Sequence, residues 1–352
     1  MDFGMPLILR ERTECEEGEK EQMIDETVLE VKNLRTHFYT DDGVVKAVDD
    51  VSFSLRKGEV IGIVGESGSG KSVTNLSVMK LIQTPPGKIV GGEVIFQGED
   101  ILKLNEKQLR AIRGAKISMI FQDPMTSLNP FLRISTQMME TLQLHQKLDK
   151  KAAKQKAIEM LTLAGIPAAA ERIDSYPHQF SGGMCQRVMI AMGLSCNPEV
   201  LIADEPTSAL DVTIQAQILD LMRDLTKKLG TTVILITHSL GVVAGMCDTI
   251  YVMYAGRVVE HGTVNDIFED PKHPYTRGLI KSVPRLDRRN KERLFSIPGQ
   301  PPNVIDLPPC CPFFPRCAEV TERCKTAYPE EIDYGNGHRA ACWEASAKEA
   351  AK

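Results

Sequence analysis

The 352 residues are long enough for two domains, and their 42% apolar and 25% charged content is that of an ordinary globular chain. No run of 18 or more apolar residues occurs, and the acidic N-terminus has no apolar signal segment, so neither a membrane span nor a secretory leader is expected. The formal net charge of −5 is local: residues 1–28 hold nine acidic and three basic side chains, a net of −6, and the remainder sums to +1, which makes no case for nucleic acid as a partner.

In chain order, residues 1–27 read as an acidic extension, either disordered or a helix that caps a partner. Order begins at the alternating strand Val28-Leu29-Glu30-Val31. Asp41-Asp42-Gly43 is a turn, and Val51 to Leu55 alternates again. Val60-Ile61-Gly62-Ile63-Val64 is a short, fully buried strand, followed by Gly65-Glu66-Ser67-Gly68-Ser69-Gly70-Lys71-Ser72 and a helical pattern over Val73–Ile82. Strand, G-x-x-x-x-G-K-S and helix in that order form a phosphate loop. Glycines let successive amides curl inward, and the new helix adds its positive end. Lys71 is expected to reach the β- and γ-phosphates of a nucleoside triphosphate, and the Ser72 hydroxyl to coordinate Mg²⁺. Val94-Ile95-Phe96 is a further strand. From Phe131 to Ala170 the text turns helical, with Lys-rich faces and Met/Leu stripes, and interrupts a strand-rich α/β pattern as an inserted helical subdomain.

Buried strands return at Val200–Ala203 and Thr232–Ile236. Between them Ile214, Ile218, Leu221, Met222, Leu225 and Leu229 mark an amphipathic helix closed by Gly230. Strand, helix and strand with continuous apolar strands predict a parallel sheet covered on both faces. Asp204-Glu205 leaves the Val200–Ala203 strand where a carboxylate can hold Mg²⁺ and its neighbour can polarise a water. Gln122, after Ile117–Phe121, and His238, after Thr232–Thr237, belong to the same strand-end edge. Ser181-Gly182-Gly183 opens another helix, with Ser181 as N-cap and two glycines baring first-turn amides. One triphosphate seldom needs two such sites, so this one is expected to serve the nucleotide of a neighbouring subunit in a head-to-tail pair.

These motifs, in this order, resemble the nucleotide-binding subunits of ATP-binding-cassette (ABC) transporters over roughly residues 28–285. The similarity comprises the phosphate loop 65–72, the Gln122 loop, the Phe180-Ser181-Gly182-Gly183-Met184 signature, the Val200–Glu205 run, the Ser208-Ala209-Leu210-Asp211 D-loop and the His238 switch. The resemblance implies an α/β P-loop ATPase with a parallel-sheet core, an antiparallel β subdomain and a helical subdomain at about 124–185. ATP contacts are implied at Phe38, Gly65, Ser67, Gly68, Ser69, Gly70, Lys71, Ser72, Val73 and Asp204, with Tyr39 competing with Phe38 to stack on adenine. Glu205 is implied as general base, His238 as the group that registers it with the γ-phosphate, and Ser72, Gln122 and Asp204 as the Mg²⁺ set. The helical insert is the implied surface for the membrane subunits.

Three stretches narrow the likeness to the oligopeptide/dipeptide/nickel importer branch: Phe121-Gln122-Asp123-Pro124-Met125-Thr126-Ser127-Leu128-Asn129-Pro130, His273-Pro274-Tyr275-Thr276-Arg277-Gly278-Leu279, and a Cys-rich end. The branch usually has a polar or basic residue where this chain has Cys185. Five of nine cysteines fall in 310–342, interleaved with prolines, which suits a loop-built metal site in residues 286–352. An ATPase fed by cellular ATP is intracellular, where structural disulfides are uncommon. The spacing C-x₅-C-x₆-C-x₁₇-C from Cys311 is wider than zinc knuckles and fits an iron–sulfur cluster better, with zinc or no metal as alternatives. The branch implies [4Fe–4S] on Cys311, Cys317, Cys324 and Cys342, with Cys310 as a competing ligand. This tail is expected to depend on metal for folding, and the ATPase body to bind ATP without it. The implied assembly is a peripheral complex on the cytoplasmic face of the membrane. It comprises this subunit, a second and distinct ATPase subunit, two transmembrane permeases and an extracytoplasmic solute-binding protein. Di- and oligopeptides are the first expected cargo, nickel chelates or glycan fragments the alternative; a soluble ABC ATPase without a transport role is the reading from another class.

Overall fold

The computed structural model describes residues 26–208, 210–283, 295–305, 307–343 and 345. Most of the acidic extension, Cys15 and Ala209 of the D-loop lie outside the described residues. Two sheets carry the fold. The first is antiparallel, in the order β2-β1-β4-β5, from Thr27–Thr40 (β1), Gly43–Arg56 (β2), Gly87–Phe96 (β4) and Glu99–Asp100 (β5). Thr40 pairs with Gly43 across the expected turn. Leu29, Val31, Leu34, Val51, Phe53 and Leu55 alternate onto its buried face, which closes on Ile61, Ile63 and Val78.

The second sheet runs in the order β11-β12-β10-β9-β3-β8-β7-β6. Its strands are Val60–Val64 (β3), Ile117–Ile120 (β6), Val200–Asp204 (β7), Thr232–Thr237 (β8), Thr249–Tyr254 (β9), Arg257–Thr263 (β10), Ile332–Asp333 (β11) and Arg339–Ala340 (β12). From β9 to β6 the strands are parallel, and β8 is buried on both faces, as its unbroken apolar run requires. The amphipathic helix spans Val212–Leu229, buries Ile218, Met222 and Leu225, and ends on Gly230 at φ 68°.

Helices Ile134–Gln146, Lys150–Leu163 and Ala169–Arg172 lie between β6 and β7 and pack Met138, Leu142, Ala157 and Met160 against the helix Gly182–Leu194. Asp149 caps the second of them by accepting from the Ala152 amide at 2.7 Å.

Two features depart from the sequence reading. The helix after the phosphate loop stops at Val78 rather than Ile82. Lys80 is left-handed at φ 51°; its amide bonds the Ser77 carbonyl and the Leu81 amide bonds that of Leu76, a Schellman end without glycine. The Lys80 ammonium holds this end by donating to the carbonyls of Leu102 and Leu104, at 2.9 Å each. The cysteine-bearing tail, for its part, joins the body. β12 pairs with β10, Phe313 packs against Tyr254 and Tyr275, and buried Glu260 of β10 accepts from His338 at 2.9 Å. The tail, expected to depend on metal for its folding, thus shares a core with the body of the chain.

Candidate active site

Gly65, Gly68 and Gly70 stand at φ 153°, 79° and 102°. A Cβ on Gly65 would strike the Met253 carbonyl oxygen, and one on Gly70 that of Ala47, so the loop can lie against β9 and β2 only with glycine at both points. Gly70 is the N-cap of the helix Lys71–Val78 and brings no side-chain acceptor, so the first-turn amides face an incoming anion. The buried Ser69 hydroxyl has no hydrogen-bond partner among the described residues, as expected of a loop shaped for phosphate oxygens. The Lys71 ammonium donates to the carbonyls of Gly65 at 2.8 Å and Glu66 at 2.9 Å. Burial lowers its pKa, opposed by the charges of Glu205 and Asp204. A triphosphate would replace two carbonyl acceptors by full negative charge.

The Ser72 hydroxyl donates to Asp204 at 3.1 Å. Burial raises the Asp204 pKa, with the Glu205 charge adding to it and the Ser72 bond opposing. An alcohol and a buried carboxylate side by side are hard oxygen donors, the set that Mg²⁺ takes. The Gln122 side-chain amide N–H donates to Glu205 at 3.0 Å. His238 Nδ1 sits 3.3 Å from the other Glu205 oxygen. Glu205 thus stands between the two strand-end residues, at φ 44°, with its own amide bonded to the Ile236 carbonyl at 2.9 Å. A left-handed Glu costs on the order of 1–3 kcal/mol and persists only where neighbours hold it. Here the β7–β8 ladder, carried one residue past Asp204, holds it.

Ser181 caps the helix Gly182–Leu194 by accepting from the Met184 amide at 3.3 Å, and Ser181 and Gly182 are exposed. A Cβ on Gly183 would come within 3.0 Å of Ile214. Cys185, the departure from the branch pattern, points away from this surface: it is fully buried beside the Pro177 carbonyl, at 3.5 Å. Ser208 of the D-loop bonds the Glu205 carbonyl at 3.2 Å through its amide, and Asp211 is exposed at the N-cap of the helix Val212–Leu229. Phe38 is half-buried against Gly87, whereas Tyr39 is 52% exposed. Ser67 lies at the exposed crest of the loop, and Val73 is half-buried on the helix behind it.

In the tail, Cys311, Cys317, Cys324 and Cys342 line one small apolar cavity, walled by Phe313, Phe314 and Trp343. The eight cysteines among the described residues form no disulfide, and Cys310 is outside this cavity. Burial pushes the Cys311 thiol up to about 12 and raises that of Cys317. Amide and hydroxyl groups already face the sulfurs: the Glu319 amide donates to Cys317 at 3.4 Å, and Thr321 Oγ1 lies 3.3 Å from Cys324 Sγ. Among the described residues no three His, Cys, Asp or Glu side chains stand in metal-ligating geometry. The donor set is of the right kind for a four-thiolate group; the sulfurs are not drawn into a ligating shell. Sequence reasoning did not single out Glu66 or Arg316, which the fold joins across 250 residues by a 2.6 Å ion pair.

The ABC transporter family profile matches residues 48–208, and that of the oligopeptide/dipeptide transporter C-terminal region matches 259–324. The oligopeptide transport ATP-binding protein OppD of Haemophilus influenzae is 52% identical over 321 residues, 91% of this chain and 98% of its own. The dipeptide transport ATP-binding protein DppD of Bacillus subtilis is 52% identical over 318 residues, 90% of this chain and 95% of its own. A dimeric ATP-binding cassette solved in a post-hydrolysis state with ADP and Pi superposes with a TM-score of 0.60 at 28% identity, over 67% of this chain and 98% of that one. With the glycine-bound phosphate loop, the Asp204–Glu205 strand end and the matching tail in one chain, this protein belongs to the oligopeptide/dipeptide transport branch of the ABC ATP-binding proteins.

Proposed function

We propose that the chain is the ATP-hydrolysing subunit of a di- and oligopeptide importer, working as one half of a head-to-tail ATPase pair. One observation carries the catalytic part of this reading: Glu205 is gripped between Gln122 and His238 beside Lys71, Ser72 and Asp204. Glu205 accepts a proton from water as its oxygen bonds to the γ-phosphorus, and the bond to the bridging β–γ oxygen breaks. The proton then leaves with phosphate or bulk water. His238 and Gln122 hold the carboxylate in line, and Lys71 binds the β- and γ-phosphate oxygens. Ser72, Gln122 and Asp204 would hold Mg²⁺, which would neutralise charge on the phosphates. Phe38 or the more exposed Tyr39 offers the adenine a ring.

The helix start at Ser181-Gly182-Gly183, exposed at Ser181 and Gly182, supports a shared site, in which this chain's signature faces the nucleotide of a second, distinct ATPase subunit and Asp211 lies at the join. With Ser181→Cys and a cysteine in the partner's phosphate loop, ATP is expected to raise intersubunit crosslinking several-fold. No ATP-dependent rise in intersubunit crosslinking would overturn the pair. Phe121, Met125 and Leu132 are exposed near Gln122, and Phe131 is 87% exposed. Such an apolar surface suits docking to two membrane permeases on the cytoplasmic face, with an extracytoplasmic solute-binding protein delivering cargo. No helix among the described residues is long and apolar enough to cross the membrane itself. Residues 28–285 act as the ATPase unit, with the helical subdomain at about 124–185, and 286–352 as the transporter-specific region. There Cys311, Cys317, Cys324 and Cys342 are proposed to hold [4Fe–4S], a reading supported by their shared cavity.

A further inference from the structure

The stretch His273–Leu279 and the cysteine loop have no part in the hydrolytic steps above, yet both end on the phosphate loop. We propose that Arg316 and Tyr275 are positioning residues for that loop, and that through them the cysteine-bearing tail sets the affinity for MgATP. The inference rests on the reading that ATP binds at residues 65–72.

The contact point is Glu66, a position that the G-x-x-x-x-G-K-S pattern leaves open. Arg316 lies in the turn between Cys311 and Cys317, and its guanidinium grips the Glu66 carboxylate through two bonds, at 2.6 and 2.9 Å. Its side chain is only 4% exposed and is anchored by donation to the Pro298 carbonyl at 2.9 Å and the Tyr254 hydroxyl at 3.3 Å. A planar fork so held fixes direction as well as distance. From the same aromatic cluster, which joins Tyr275 to Tyr254 and Phe313, the fully buried Tyr275 hydroxyl accepts from the Glu66 amide at 2.8 Å. Tyr275 is itself oriented, since its amide donates to His273 Nδ1 at 3.0 Å. Until a triphosphate takes its place, the Glu66 carbonyl accepts from Lys71 at 2.9 Å. Side chain, amide and carbonyl of one residue are thus tied to the cysteine turn, to the following helix and to the phosphate-binding lysine.

The helix Pro274–Ser282 braces both ends of this clamp. A Cβ on Gly278 would come within 2.9 Å of Ile297, so the segment that receives Arg316 packs directly on the helix. Arg277 pairs with Glu319 at 2.9 Å, two residues past Cys317. A generic surface ion pair does not account for this arrangement, because a solvated pair needs neither buried anchors nor a second restraint on the same residue.

The test uses the full-length chain with MgATP titrated directly and amide exchange read across residues 65–72. Arg316→Met is expected to weaken MgATP binding on the order of tenfold, since small displacements of a preorganised loop are costly. Glu66→Gln should do much the same, and the Glu66→Gln/Arg316→Met double variant should be no worse than the worse single one. Arg316→Lys keeps charge without the fork and should recover part of the loss. Tyr275→Phe should speed exchange at the Glu66 amide specifically. Lower thermal stability with unchanged MgATP affinity and unchanged exchange at 65–72 would reduce Arg316 to a structural residue and overturn the inference, as would fully additive single variants. If Arg316→Met does not fold, Glu66→Gln and Tyr275→Phe decide alone. Wild-type chain that binds no MgATP would instead sink the nucleotide reading itself.

Discussion

Replacing Glu205 by Gln is expected to lower steady-state ATP hydrolysis at least about a hundredfold while MgATP still binds, because a positioned general base contributes roughly 10²–10⁴ in rate. The substitution is close to isosteric, so the amide can still lie between Gln122 and His238, and the β7–β8 ladder that holds its backbone is untouched. What is lost is the acceptor for the water's proton. Lys71→Ala should produce the opposite pattern. Its ammonium is the buried cation beside the loop carbonyls, so its removal weakens nucleotide binding before any chemistry. Affinity and turnover measured for both variants, in complexes whose second site is inactivated, separate the roles. Normal hydrolysis by the Glu205→Gln complex would remove Glu205 as the base.

What could be read from the sequence were features encoded within a few residues. The phosphate loop is a local chain conformation, so Gly65, Gly68 and Gly70 announce it before any tertiary contact is known. The convergence of Gln122, Glu205 and His238 was legible one step later, because parallel strands deliver their C-terminal ends to one edge. Orientation was less accessible. Cys185 lies in the signature helix, yet only the packing of that helix decides that its sulfur faces the core rather than a nucleotide. The end of the first helix was misread because Lys80 replaces the glycine that usually marks a Schellman turn. The attachment of the tail was hidden for a different reason. β11 and β12 are two residues each, too short for periodicity, and form only because β12 adds to the edge of β10 and β11 to β12. The Arg316–Glu66 pair carries no local signal at either end, since a charged residue in a loop normally reads as solvated.

The same pair changes what should follow from breaking the cysteine cluster. Cys317→Ser with Cys324→Ser is expected to abolish iron in chain purified without oxygen, because a four-thiolate site does not survive the loss of half its ligands. Burial keeps Cys311 protonated in the absence of metal, so a bound cluster must displace that proton, and with two ligands gone it has little to offset the cost. The loosening should be graded. Phe313 stays packed on Tyr254 and Tyr275, and β12 stays paired to β10, so amide exchange should rise most between Cys317 and Thr326 and least at Ala340. Sequence alone argues that ATP binding is indifferent to this region; the clamp argues otherwise. Arg316 precedes Cys317 directly, and a turn released at Cys317 cannot hold a buried guanidinium to a two-bond geometry. MgATP affinity should therefore fall with the iron, by a factor similar to that of Arg316→Met, while the parallel sheet keeps its exchange protection. Iron lost with affinity unchanged would mean that β12 and Phe313 suffice to hold the clamp. Anaerobic wild-type chain that carries stoichiometric zinc and no iron would mean that the wide cysteine spacing serves a different metal.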